Sequence, residues 1–248
     1  MGRWGVLRLD YLFSVIIPCL IAIYVHDEPL NYHLRTILGW AFLGIAGNVI
    51  NDMIDKDRDL TWHSKELGAI ALGAIALSML CFFESVVRNP WNLLWVACAI
   101  IMILAYCLGL KKIQFVSTFW QVFAEIFFPY FTIKLPSGNE WFWVITLYSF
   151  GLLSQFVHES IDKEAISTLS PRRVRIVVIF FSLLTLALGA VLFLQFFDFN
   201  IIPFAFVPLA TIYIFRVPRK AIGSNIKDVG IIMGNFFMVY FLFILLAR

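Results

Sequence analysis

The sequence predicts an all-α integral membrane bundle of about nine transmembrane helices. Three observations carry that prediction. Of 248 residues, 61% are hydrophobic and 14% charged, with a mean hydropathy of +0.88; a soluble domain is near half apolar and about a quarter charged. Continuous apolar runs recur from end to end, whereas a membrane β-barrel would alternate apolar and polar residues. The basic residues also partition by side. With nine spans, 15 of the 19 Lys and Arg fall on the N-terminal side, and only Arg35, Arg88, Lys134 and Arg248 on the other. The positive-inside rule then places the N-terminus in the cytoplasm and the C-terminus on the opposite side.

The spans read as 9–26, 36–53, 67–86, 91–109, 114–132, 141–158, 173–197, 200–216 and 229–247. The first follows Arg3 and Arg8, as a signal peptide would, but the bulky "AIYVHDEPLNYHL" after it offers no cleavage site. It is therefore expected to stay as a helix. The second ends in "GNVINDMIDKDRD" and the fourth in "YCLGLKK". The fifth is aromatic and carries Glu125, which needs a partner or a proton inside a membrane. The sixth ends in "SQFVHESIDKEAIS", and the seventh follows "STLSPRR". Several runs are shorter than the ~20 residues of a straight span, so their polar ends must be buried in the bundle or the bilayer must thin. No loop is long enough for a soluble domain, and the chain reads as one domain over 1–248. Cys19, Cys81, Cys98 and Cys107 are scattered with no C-x-x-C spacing, which suits packing rather than zinc or disulfides.

The second span's end carries chemistry. Treated as a helix, Asn51, Asp52, Asp55 and Asp59 fall at about 0°, 100°, 40° and 80° around the axis, one stripe about 100° wide. Asp57, at about 240°, points elsewhere. Three carboxylates on one face repel and stay ionised only beside a cation. No Lys or Arg shares the stripe, although Arg58 is close to its edge. A hard divalent cation with oxygen ligands fits, and Mg²⁺ commonly joins one or two carboxylates to phosphate oxygens. The competing reading is a solvated helix end.

The sixth span offers a second polar face. With Glu159 at 0°, Gln155 falls at about 320° and Asp162 at about 300°, while His158 lies on the edge at about 260°. Lys111, Lys112, Arg172 and Arg173 lie near these ends and suit either diphosphate contact or the positive-inside bias. A transporter holding a cation on the same carboxylates is a competing class, but the two halves show no internal repeat.

These motifs resemble the UbiA superfamily of intramembrane prenyltransferases, which includes terpene cyclases. Asn51, Asp52, Asp55 and Asp59 match the N-D-x-x-D-x-x-x-D signature at the end of helix 2. "LRLDYL" before the first span and Tyr106, Leu110 and Lys111 after the fourth are similar to family positions. The resemblance implies nine helices around a central cavity that opens toward the cytoplasmic face. It implies Mg²⁺ held by Asn51, Asp52, Asp55, Asp59, Glu159 and Asp162. Asp52, Asp55, Asp162 and Lys111 would be catalytic, and Asn51, Lys111, Lys112, Arg172, Arg173, Tyr106 and Gln155 would bind an isoprenyl diphosphate. The implied reaction ionises that substrate in an apolar cavity and passes the prenyl cation to a lipophilic, aromatic acceptor. Alternatively, a cyclase lets the substrate's own double bond capture it. The lipid bilayer is the other partner, and no nucleic acid is expected. Two departures stand out. The family's second motif is D-x-x-x-D, but Ile166 stands where an Asp should follow Asp162, and Glu159 is a candidate substitute. The loop after the first motif, "TWHSKELGA", is also short for the family.

Overall fold

The computed structural model describes residues 7–55, 62–162, 165–218 and 224–248. Among these residues there are nine α-helices and no strand: α1 (Phe13–Val25), α2 (Leu30–Asp55), α3 (Ser64–Arg88), α4 (Trp91–Leu108), α5 (Val116–Ile133), α6 (Trp141–Asp162), α7 (Pro171–Phe196), α8 (Phe206–Ile214) and α9 (Ser224–Leu246). Each expected span has its helix. Five of them, in α2, α3, α4, α7 and α9, are long and apolar enough to cross a membrane on length and composition. The 26 residues of α2 extend about 39 Å at 1.5 Å per residue, beyond a hydrocarbon core of about 30 Å. Leu72, Leu80, Phe83, Ile101, Phe180, Leu194, Ile232 and Phe243 each leave more than half of their surface exposed. Such an exterior suits lipid as solvent, and the chain is an integral membrane protein.

The eighth span differs from its expected form. Residues Phe199–Ala205 wind as a 3-10 helix, and only nine residues of α8 are α-helical. Pro203 lies inside the tighter stretch and has no N–H to donate. Pro208 follows in the first turn of α8, where a missing N–H costs nothing.

The chain divides into two compact units. The first contains α1 to α4, residues Ala124–Leu135 of α5 and its end, and Ile231–Arg248 of α9 and its end. Here α1 is almost wholly enclosed, with Cys19, Ala22 and Ile23 fully buried. α2 and α3 pack closely because Gly39 has no side chain. A Cβ there would stand 2.9 Å from the buried Phe82 ring, and Ser78 Oγ donates to the Gly39 carbonyl at 2.9 Å. Buried polar groups in lipid must be satisfied within the protein. Thr132 does this for three helices: Trp40 Nε1 donates to its hydroxyl at 2.8 Å, Asn92 Nδ2 donates to its carbonyl at 3.1 Å, and its own hydroxyl donates to Pro129 O. At the far end of α2 from Asp52, Arg88 lies over the Tyr32 ring at 3.7 Å, and Arg35 pairs with Glu84 at 2.8 Å.

The second unit contains residues Lys111–Phe123 and Pro136–Gly230. α6 and α7 form its main pair, with α8 against α7. Phe119, Phe156 and Phe181 meet at the junction of α5, α6 and α7, with ring centroids 4.9 to 6.3 Å apart. Ser149 and Thr185 share a buried hydrogen bond of 2.8 Å between α6 and α7.

Two outcomes follow from the first unit. Gly39→Val is expected to lower stability by about 1–3 kcal/mol through overpacking against Phe82, measured by denaturant unfolding in detergent. Glu28, between α1 and α2, accepts a 2.9 Å hydrogen bond from Lys134, which holds its carboxyl below the usual glutamate range. A depressed folded-state pKa gives stability that is fully present above the ordinary value of about 4.3 and is lost as pH falls through the folded value. Lys134→Gln is therefore expected to flatten the acid limb of melting temperature against pH below about pH 4.5. An unchanged acid limb would remove the pair from the explanation.

Candidate functional site

The α2 motif is built from the last two turns of that helix. Val49, on the opposite side from Asn51, packs with Leu67 and Ala71 of α3, and Leu7, Met53 and Trp62 close over them. This seat fixes the helix end in apolar surroundings. Asp52 is consequently 3% exposed, and Arg8 Nη2 donates to its Oδ1 at 2.5 Å. Arg8 comes from the segment before α1. It has a left-handed backbone (φ 43°) and leads into a 3-10 turn, Leu9–Tyr11. Asn235 of α9 donates to the Asp10 carbonyl at 2.8 Å and holds that turn in place.

Gly47 brings α4 close: a Cβ there would meet Ile103 at 3.3 Å. Asn51 is one turn beyond Gly47, and Tyr106 nearly one turn beyond Ile103. α2 and α4 run in the same direction, so both half-buried residues lie at the same end of this seam. Asp55 is the last residue of α2; its side chain, and the whole of Asp59, lie outside the described residues. α3 begins beside the motif with a capping box in which Glu66 accepts from the His63 N–H at 3.0 Å.

The second unit holds the other expected residues. Glu159 is 2% exposed and accepts a 2.5 Å hydrogen bond from Thr118 Oγ1 of α5. One turn away, Gln155 Nε2 donates to Gln121 Oε1 at 3.1 Å. Thr118 and Gln121 are three apart, and Gln155 and Glu159 four apart, so each pair shares a helix face. The result is a polar seam in an otherwise aromatic junction. Asp162 ends α6, and its side chain lies outside the described residues. Ile166 is 2% exposed in a 3-10 turn, Ala165–Thr168, so the position that departs from the second motif is a buried hydrocarbon. Lys111 is half-buried and Lys112 exposed, both in the 3-10 turn Leu110–Lys112. Arg172 and Arg173 are exposed in the first turn of α7, which Ser170 caps.

Two contacts are not visible in the sequence. The "LRLDYL" segment contains Arg8, but only the structure places its guanidinium on Asp52, 44 positions later. Thr118, the donor to Glu159, has a weaker sequence signal, the i, i+3, i+7 polar series Thr118, Gln121, Glu125 on an aromatic helix. Among the described residues, no three His, Cys, Asp or Glu side chains are grouped so as to hold a metal.

No protein-family model matches the sequence, and no curated protein matches it. Solved structures do. A UbiA homolog from Archaeoglobus fulgidus bound to DMAPP and Mg²⁺ superposes with a TM-score of 0.70 at 14% identity, over 100% of both chains. A structure of a UbiA homolog from the same organism bound to GPP and Mg²⁺ gives 0.71 at 15% identity, again over 100% of both chains. The chain has the UbiA fold. The nine-helix, all-α expectation therefore holds among the described residues. Asn51, Asp52 and Asp55 close helix 2, and Gln155, Glu159 and Asp162 lie in the last turns of helix 6.

Thr118→Val, which keeps side-chain volume but removes the donor to Glu159, is expected to cost about 1.5–3 kcal/mol if tested by denaturant unfolding in detergent. Gln121→Leu, which removes a neutral partner, should cost less than that. The reverse order would mean that the Thr118 bond carries no charge-assisted share.

Proposed function

We propose that this protein is a Mg²⁺-dependent intramembrane enzyme that ionises an isoprenyl diphosphate and transfers the prenyl group to a lipophilic, aromatic acceptor. The observation that carries the proposal is the buried Asp52 carboxylate of an N-D-x-x-D motif at the end of helix 2 in a UbiA fold. Solved chains of that fold bind DMAPP or GPP with Mg²⁺. Fold alone does not confer activity, so the residues must suit the chemistry.

They do. The donors on the α2 motif are all oxygens, as a hard cation prefers. The guanidinium on Asp52 marks a place where positive charge is stabilised. Asn51, Asp52, Asp55 and Asp59 would hold Mg²⁺ on the α2 motif, and Glu159 and Asp162 on the α6 motif. Bound there, the metal supplies Lewis-acid stabilisation of the departing diphosphate. Lys111, Lys112, Arg172 and Arg173 add positive charge for the same anion. The two arginines occupy a helix N-terminus, where the dipole disfavours cations and favours anions, so an anionic group complements both. Asn51, Tyr106 and Gln155 orient substrate oxygens. The apolar, aromatic surroundings exclude water from the allylic cation until the acceptor captures it.

One observation favours a second reading, a terpene cyclase. The α6 motif departs from D-x-x-x-D, with the buried Ile166 at the missing carboxylate. In that reading a double bond of the substrate attacks its own cation.

Purified protein with Mg²⁺ and C10, C15 or C20 diphosphate separates the two. Turnover only with an aromatic acceptor supports the transferase. A cyclic hydrocarbon or alcohol formed without acceptor supports the cyclase. Asp52→Ala is expected to reduce diphosphate release by at least about 10²-fold in either case. Release that survives both Asp52→Ala and Asp55→Ala would defeat the metal–diphosphate proposal.

A further inference from the structure

Asp52 has a counter-charge from the protein itself. The Arg8 guanidinium takes Oδ1 at 2.5 Å, on a carboxylate that is 3% exposed. A divalent cation on the same carboxylate would share it with a fixed positive charge at contact range. Like charges at that separation in surroundings poorer than water repel strongly, so both do not hold Asp52 at full strength.

The geometry shows which partner can leave. Asp52 is held by the apolar seat at the end of α2. The backbone at Arg8 is held too. Its turn is tied by the Asn235 bond to Asp10 O, and the Phe13 ring that follows packs on Gly234 so closely that a Cβ there would stand 2.5 Å from it. The Arg8 side chain, by contrast, is 33% exposed. A long side chain on an anchored backbone can swing without moving the helices.

We infer that Arg8 is a latch on the metal site: it neutralises Asp52 in the metal-free protein and competes with Mg²⁺ for that carboxylate. The inference rests on the reading of the α2 motif as a Mg²⁺ site. It makes metal binding weak when the metal comes alone. An anion such as diphosphate gives the displaced guanidinium a new partner, so diphosphate and metal strengthen each other through Arg8. By linkage, the strengthening is the same in both directions.

The test is metal binding to the full-length protein in detergent, with Mn²⁺ as a paramagnetic stand-in and free Mn²⁺ read by electron paramagnetic resonance. Without diphosphate, Arg8→Gln is expected to bind Mn²⁺ about 10-fold tighter than wild type, within the range of ordinary site coupling. Adding inorganic diphosphate should then raise Mn²⁺ affinity less in Arg8→Gln than in wild type. Arg8→Lys, which keeps a charge but loses the fork, should fall between them. Thermal unfolding gives a second readout: metal-free Arg8→Gln melts lower than wild type, and Mg²⁺ raises its melting temperature more. Equal or weaker Mn²⁺ binding by Arg8→Gln, with wild-type binding intact, overturns the latch and leaves the metal site standing. If wild type binds no Mn²⁺ with or without diphosphate, or if Asp52→Asn binds as wild type does, the metal-site reading itself fails and the latch with it.

Discussion

A buried carboxylate at the end of a membrane helix has to be neutralised, and much of this structure is arranged around that requirement. Asp52 sits in a hydrocarbon seat made by α2 and α3, where an unpaired charge is costly. Arg8 meets it, and Arg8 is delivered by a turn that α9 holds through Asn235. The start of the chain, the end of α2 and the body of α9 are thus joined by a single charge. Removing one partner of a buried pair leaves an uncompensated charge, a cost that the partial exposure of Arg8 reduces here. The arrangement also puts a cation of the protein on the carboxylate that the proposed chemistry needs.

The second unit places a neutral donor on its own buried carboxylate. Glu159 is as buried as Asp52, but its described donor is the Thr118 hydroxyl. A neutral hydrogen bond stabilises a carboxylate less than a guanidinium does. Gln121 and Gln155 extend the seam by one turn with amides that satisfy each other. The rings of Phe119, Phe156 and Phe181 lie directly alongside. Polar and aromatic surfaces thus lie on adjacent turns, as the proposed substrate, with its anionic head and isoprenoid tail, requires.

Away from these residues, small side chains and hydroxyls do the joining. Lipid tails are as apolar as leucine, so helices in a membrane associate through close packing and hydrogen bonds rather than water exclusion. Gly39 and Gly47 let α3 and α4 approach α2, and Thr132 ties α2, α4 and α5. These contacts set where the end of α2 stands, and so position Asn51 and Asp52.

The sequence by itself determined the class, the helix count and the helix ends that carry carboxylates. Apolar runs and charge placement are local signals, and a bilayer leaves a helix few alternatives because each backbone group must be paired within its own segment. The spacing of Asn51, Asp52 and Asp55 was legible for the same reason, since a helix converts spacing into a face. Only the tertiary structure decided which polar groups meet. Arg8 and Asp52 are 44 residues apart, and Thr118 and Glu159 are 41 apart. No periodicity links such residues; they meet because helix packing brings their turns together. The 3-10 winding of Phe199–Ala205 was likewise hidden in a run that reads as one span. There Pro203 withdraws one N–H, and the choice between 3-10 and α winding for the others depends on what packs against them.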